Sequence, residues 1–449
     1  MEWFLKKAHL IAIKHFHRWY GFFASAFILL IATLVVYGLI PDGRIRFLWY
    51  AYGIISLEIF LLICWIVYAF WIPKNNRKKH TGLVLCIYAD SEDAEQALKK
   101  DFVATVKRGV QNGEIGEVFN VILIKNHLAS KYNNRNDIYK LDKKANGHIY
   151  IFGETKKRKH GVDQYFLSLD GLVLHRPISH QASQELANDF LATLPKGINF
   201  KDEFAFAGFQ VSADIVVRCV EYIVGIAAFI SGNPFLATKL HTDLKNKILS
   251  SQQKLPGDKV ILSKIDNLLS NEFALIGSYY LRKNERENAN KNIESSLNLN
   301  KNCYNALVTK SVIAFSWEND PKKALSICKE CHGFNEPTWR YNEAFLHFWL
   351  GNYPTAWKQC EKIKRQNYPS EVIISQEITQ FNESLVSKVE KPVLYFWLGF
   401  NYYYKQGNLP LAFKNFEIFL QKADDAGMNN LKQKASGWTA EIKKKCNWK

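Results

Sequence analysis

Tyr20 to Leu39 reads YGFFASAFILLIATLVVYGL, twenty residues without a charge. At about 1.5 Å of helical rise each, they cover about 30 Å, one hydrocarbon thickness. A second stretch, Trp49–Ile72, is similarly apolar except for Glu58, and Pro41 and Gly43 break the turn PDGRIRFL between the two. A signal peptide has a shorter apolar core followed by a small-residue cleavage site. Neither is present, and a second span follows. The chain is therefore expected to carry a two-helix membrane anchor over residues 20–72, with spans 20–39 and 49–72.

Lys and Arg near the spans set the orientation. The tail of residues 1–19 carries Lys6, Lys7, Lys14 and Arg18, and the segment after the second span carries Lys74, Arg77, Lys78 and Lys79. The intervening loop has only Arg44 and Arg46, offset by Asp42. Both termini are thus expected in the cytoplasm of a bacterial cell, with the anchor in the inner (plasma) membrane. Tyr20, Trp49, Tyr50 and Trp71 fall at interface depth. The tail mixes bulky apolar and basic residues, as an interfacial helix does. Glu58 lies about 13 Å in from the outer end of its helix. An intramembrane carboxyl is either a functional group or one hydrogen-bonded to Thr33 or to a neighbouring subunit.

The formal net charge is +17. An anionic membrane surface and nucleic acid both suit such a balance. The run Lys74, Arg77, Lys78 and Lys79 abuts a span, so the lipid bilayer is the expected partner of this basic patch and nucleic acid is not. Eight cysteines scattered along 449 residues do not form the framework of a small secreted domain. Free thiols in a reducing compartment fit them.

Residues 81–180 alternate in pattern. GLVLCIYAD (82–90) reads as a buried strand. SEDAEQALKKDFVATVKRGVQNG reads as a helix capped by Ser91 or Asp93 and ended by Asn112-Gly113. FNVILIKNH is a second strand, NDIYKLDKKAN a weaker helix, and GHIYIFGET and QYFLSLDGLVLHRPI are two further strands flanking a hairpin turn at KKRKHGVD. The order is β-α-β-α-β-β. The opening strand, DFVATVKRGV, FNVILIK and GHIYIFGETKKRK followed by YFLSLDG resemble the TolB amino-terminal domain family. That resemblance implies a small α/β module for protein contact, with no catalytic residues to carry over. A rival pattern is Asp137 with Glu154 and Lys156, which loosely resembles the metal site of restriction-type nucleases, where carboxylates hold Mg²⁺ and the Lys assists water. Against it, Gly153 is expected to break the strand, Lys156 to sit at a hairpin tip, and Asp137 to start a helix, where Asp is a favoured cap.

From residue 205 to 449 the chain reads as helical and repetitive. FALIGSYYLRKNERENANKNIESSL carries Phe273, Gly277, Tyr280 and Ala289. The next unit has Phe315 and Ala324, a third has Ala344, Gly351 and Ala356, and PVLYFWLGFNYYYKQGNLPLAFKNFEIFL has Tyr403, Gly407 and Ala412. Ala289 and Ala324 are 35 residues apart, and Ala324 and Ala356 are 32 apart. Ala356 and Ala412 are 56 apart, so an extra helix is expected at about 370–386. An earlier unit is expected around Gly225, Gly232 and Ala237. These words and spacings resemble the tetratricopeptide repeat, a helix pair of about 34 residues. The resemblance implies a solenoid whose stacked pairs make a concave protein-binding groove. Ile215–Ile230 is too short and too charged, with Arg218 and Glu221, to be a third span.

Cys328-Lys-Glu-Cys331-His332 matches the haem-attachment word C-x-x-C-H. The site falls on the expected cytosolic side, and both cysteines fall at core positions of a repeat helix, so they are read as buried thiols. No P-loop, zinc-protease or nucleophile-elbow word occurs.

The expected fold class is two transmembrane α-helices, then a small α/β (β-α-β-α-β-β) domain, then an α-helical tetratricopeptide-repeat solenoid. The expected function is that of a membrane-tethered adaptor or sensor binding a cytosolic protein or peptide through the repeat groove, with homo-oligomerisation open. No catalysis, cofactor or metal is expected. The alternatives are a membrane-perturbing effector triggered by its cytosolic part, and a membrane-bound Mg-dependent nuclease.

Overall fold

The structure is a computed structural model describing residues 6, 16–38, 44–77, 79–111, 119–160, 162–174, 198–201, 205–366 and 371–448. Lys78, the tail before residue 16 apart from Lys6, the Asn112-Gly113 turn and residues 175–180 lie outside them. Contacts divide the chain into two units, residues 1–232 with 240–263, and residues 233–239 with 264–449.

The first unit begins with helices α1 (Trp19–Gly38) and α2 (Arg44–Phe70). Two spans are expected from sequence, and one helix meets the requirement among the described residues. Tyr52–Phe70 within α2 is long and apolar enough to cross a membrane, whereas α1 supplies a shorter apolar stretch, Trp19–Val35. The two helices meet through Phe22 and Trp65, whose ring centroids lie 5.2 Å apart.

A five-stranded sheet follows, in the order β2-β1-β3-β4-β5. β1 (Thr81–Ala89) runs parallel to β2 (Phe119–Leu123) and to β3 (Ile149–His160). A strand between two parallel neighbours with both faces covered must be apolar throughout, and Leu83–Cys86 are fully buried. β4 (Val162–Val173) returns antiparallel to β3, and the short β5 (Ile198–Lys201) pairs with β4. The expected strand order holds, but β5 adds a strand. The hairpin also differs. β3 continues through Lys156–His160, with Lys156 opposite Phe166 and His160 opposite Val162. Gly153 does not break the strand; it lets Ser168 approach, since a Cβ there would lie 2.0 Å from the Ser168 carbonyl oxygen.

On one face, α5 (Asn126–Ala129) and α6 (Arg135–Ala145) bury Val84, Cys86, Ile122, Ile138, Leu141 and Phe152 together. The other helical layer is α3 (Glu92–Ala97), a π-helical turn (Leu98–Val103) and α4 (Ala104–Gln111). Ser91 caps α3, its hydroxyl accepting from the Ala94 amide at 3.3 Å. Asn134, not Asp137, caps α6. Helix α7 (Ala205–Ile230) packs on this layer, so closely that a Cβ on Gly109 would meet Val217 at 2.7 Å. The sequence reading starts the helical domain at residue 205, yet α7 belongs with the sheet because its apolar face is buried there. Its Arg218 is buried as an ion pair, donating to both Asp258 carboxylate oxygens at 2.6 Å.

Helix α8 (Pro234–Ser250) and α9 (Asp258–Arg282) lead into the second unit. There follow α10 (Arg286–Leu299), α11 (Tyr304–Ser316), α12 (Pro321–Glu330), α13 (Thr338–Trp349) and α14 (Tyr353–Arg365). α15 (Glu371–Val386) is the expected extra helix. α16 (Pro392–Tyr404) and α17 (Leu409–Lys422) form the last pair, and α18 (Asn429–Cys446) closes the array. Antiparallel pairs with short turns follow from the sequence: Pro stands in the first turn of α12, α14, α16 and α17, where its missing N–H has no helical partner to lose.

Candidate functional site

Each pair closes on small residues. Ala289, Ala324, Ala356 and Ala412, four expected signature positions, are completely buried in the second helix of their pairs, as is Ala237 in α8. Gly277 lies opposite Ile293, where a Cβ would come within 2.6 Å. Tyr280 is half-buried beside Phe235, at 5.9 Å between centroids. Tyr403 stacks on Trp438 of α18 at 6.1 Å. Gly351 and Gly407 serve differently from the others. They sit in the turns between paired helices at φ +79° and +65°, conformations that favour glycine. The crossing residue of the last pair is Gly399, which sequence reading passed over; a Cβ there would meet Phe416 at 2.6 Å. Its signal was available as the offset of Gly399 from Ala412, which is one more than that of Gly277 from Ala289.

Because second helices turn their small faces to first helices, the first helices present their other side to one common groove. A cavity of about 720 Å³ opens there. α9 contributes Leu281 and Arg282, α11 Val308 and Phe315, and α13 Asn342 and Phe345. None of its lining residues comes from α10, α12 or α14. The fourth wall is α15, through Glu377, Ile378, Gln380, Phe381 and Asn382. Phe381 meets Phe345 at 5.9 Å and Phe315 at 6.2 Å between centroids. An apolar floor with a few convergent polar groups is the usual make-up of a binding cavity.

The α15 wall is held against α16 and the turn that follows it by polar groups. Gln406 donates to Thr379 Oγ1 at 3.1 Å and to Ser375 Oγ at 3.2 Å. The Tyr402 hydroxyl donates to Glu383. Burial, with that hydrogen bond, pushes the Tyr402 phenol up to about 12.

Cys328 and Cys331 are buried, as expected of repeat-core positions, and burial pushes the Cys331 thiol up to about 12. The Cys328 thiol donates to the Trp339 carbonyl at 3.2 Å. His332 turns to Glu343, at 2.9 Å. Asp137 accepts from Asn134 and Lys140, and Glu154 accepts from Lys156 two residues along its own strand. Asp137 is thus bonded within its own helix start, apart from the Glu154–Lys156 pair on β3. Among the described residues no group of three or more His, Cys, Asp or Glu is arranged to hold a metal ion.

At the end of α2, Lys74 and Lys79 are exposed. Arg77, between them in sequence, is not exposed with them. Its guanidinium folds inward to Asp142 at 2.6 Å, to the Asn146 carbonyl at 3.2 Å and to the Gly147 carbonyl. Lys125 donates to the Tyr68 carbonyl at 2.9 Å, and His127 lies 3.3 Å from the Ala69 carbonyl, so the last turn of α2 is capped by cationic and imidazole groups. Glu58 is half-buried and, among the described residues, meets no hydrogen-bond or ion-pair partner. The Thr33 hydroxyl donates to the Leu29 and Leu30 carbonyls of its own helix.

No family model matches the chain, neither the tetratricopeptide nor the TolB-type resemblance included, and no curated protein matches it. Among solved structures, the chain is similar to PilW, described as a widely conserved type IV pilus biogenesis factor. The match is at 11% identity and a TM-score of 0.25, covering 52% of this chain and 95% of that one. Likeness at that score carries no inference about function.

Proposed function

We propose that the protein is a membrane-tethered adaptor that binds a protein partner through the groove of its helix pairs, which we read as tetratricopeptide repeats. The observation that carries the reading is the 720 Å³ cavity walled by α9, α11, α13 and α15 and floored by Phe315 and Phe345. Helices laid in such grooves bind through apolar anchors at helical spacing. α1 and α2 form the anchor in this reading. Both termini face the cytoplasm, Lys74 and Lys79 meet anionic lipid, and the α/β module serves as a second contact surface. The chain is assigned no reaction, cofactor or metal.

The test is capture from a cell extract by the full chain in detergent, with Phe315→Ala and Val308→Asp variants whose helix content is verified by circular dichroism. Loss of the captured species in both variants is the expected outcome. Unchanged capture would remove the groove from the function.

A second reading concerns Glu58. A half-buried carboxyl with no partner among the described residues, flanked by Leu57 and Ile59 at 40% and 53% exposure, suits a span that pairs with another copy. Such pairing would underlie an effector that perturbs the bilayer. A Glu58→Gln chain with the same oligomer mass and the same ion leak as wild type would set this reading aside.

A further inference from the structure

Helix α15 is foreign to the repeat. It separates α14 from α16, yet α13 and α16 pack directly on each other, as first helices of successive pairs do. α15 therefore lies over the first-helix face, where a bound partner would lie. Its way of sitting there is unlike that of its neighbours. α16 buries Val393, Leu394, Phe396, Trp397 and Phe400. α15 buries a polar seam, Ser375, Thr379 and Asn382, at 0%, 3% and 1% exposure. The apolar residues Ile374, Ile378, Phe381 and Leu385 stay half-exposed.

The seam is also incompletely satisfied. Asn382 spends its amide N–H on the Ile378 carbonyl of its own helix, and its carbonyl oxygen, buried, has no hydrogen-bond partner among the described residues. α16 carries an orphaned acceptor of the same kind at Asn401, so what sets α15 apart is its half-covered apolar surface, which a tighter ligand would cover better.

We propose that α15 is an in-chain occupant of the groove, and that a partner's amphipathic helix with apolar residues at i, i+4, i+7 and i+11 takes its seat on Phe315 and Phe345. The spacing is that of Ile374, Ile378, Phe381 and Leu385. The inference rests on the groove reading above. Residues 387–391 tether α15 to α16, and a linker that short holds its ligand at an effective concentration of about millimolar. Weak helices are excluded by this competition and only a better-matched one enters.

The test uses the full chain in detergent and a labelled synthetic peptide of the Glu371–Val386 sequence. Ile378→Asp with Phe381→Asp frees the seat. The peptide is expected to bind this variant at least about tenfold more tightly than wild type. In wild type, the amides of α15 are expected to exchange about tenfold faster than those of α13 and α16, as a separately opening segment does. Equal peptide binding to both chains would overturn the occupant role and leave the open groove as the binding surface. Binding to neither chain, or exchange in α15 as slow as in α13, would also overturn it. The capture assay with Phe315→Ala judges the groove itself and is independent of these outcomes.

Discussion

The guanidinium of Arg77 lies 2.6 Å from the carboxylate of Asp142, and the Tyr150 hydroxyl donates to the same oxygen at 2.6 Å. The ion pair joins the segment just after α2 to helix α6, at 16% and 10% side-chain exposure. Asn75 reinforces it from within the same segment, its amide donating to the Ala145 carbonyl at 2.7 Å. The connection from α2 to the sheet is thus bonded along its length. Replacing Arg77 by Ala leaves a largely buried carboxylate without its cation, at a cost of about 3 kcal/mol. Urea unfolding should report that loss, and Lys79→Ala should stay within about 0.5 kcal/mol of wild type.

Gly399 and Gly437 are both helical glycines with opposite surroundings. A Cβ at Gly399 would meet Phe416 at 2.6 Å, and one at Gly437 would meet nothing within 4 Å. Gly399→Ala is expected to destabilise by about 1–3 kcal/mol through overpacking. Gly437→Ala is expected to stabilise by about 0.5–1 kcal/mol through helix propensity. Thermal unfolding of the two variants should move in opposite directions.

Glu343 is buried between two imidazoles, His332 at 2.9 Å and His347 at 3.6 Å. Burial pushes its carboxyl up, but the imidazole of His347 nearby and the hydrogen bond and charge of His332 outweigh burial and hold it below the ordinary 4.5. A depressed carboxylate stabilises the fold above its unfolded pKa and loses that contribution as pH falls through its folded value. Below about pH 4.5 the melting temperature should therefore drop more steeply for wild type than for Glu343→Gln.

Tyr402 titrates in the opposite sense. Its pKa, raised to about 12 from 10, favours the protonated phenol in the folded state. That contribution is complete below pH 10 and is lost between pH 10 and 12. Ionised Tyr402 would also face Glu383 as a like charge, so α15 should exchange faster over this range in wild type. Tyr402→Phe should lack this increment when hydrogen exchange is followed at the two pH values.

All eight cysteines are free, and only Cys64 and Cys446 are not buried. A maleimide should label Cys446 in the native protein, Cys64 being shielded within the apolar stretch Tyr52–Phe70, and leave Cys328, Cys331 and Cys360 untouched until denaturant is added. Mass analysis of the labelled peptides decides this. Native labelling at Cys328 would contradict the buried placement of the C-x-x-C-H word.

Local pattern was enough to find much of this architecture. The apolar run of β1, the β-α-β-α-β-β order, the buried alanines at 289, 324, 356 and 412 and the extra helix near 370–386 all follow from periodicity and spacing. Those features depend on neighbours a few residues away, or on a repeat that samples the same contact several times. Features that depend on a distant partner did not follow. Arg77 reads as one more cation beside a span until Asp142, 65 residues on, is found opposite it. β5 is too short to signal itself and exists by pairing with β4. α7 looks like the first repeat helix, and only its tertiary packing on the helical layer beside the sheet, closest where Gly109 meets Val217, places it with the α/β unit. The same holds for the groove. Sequence implied that helix pairs would stack, but that α15 lies over their first helices on a polar seam was decided by tertiary packing, because its amphipathic pattern is equally compatible with any apolar surface.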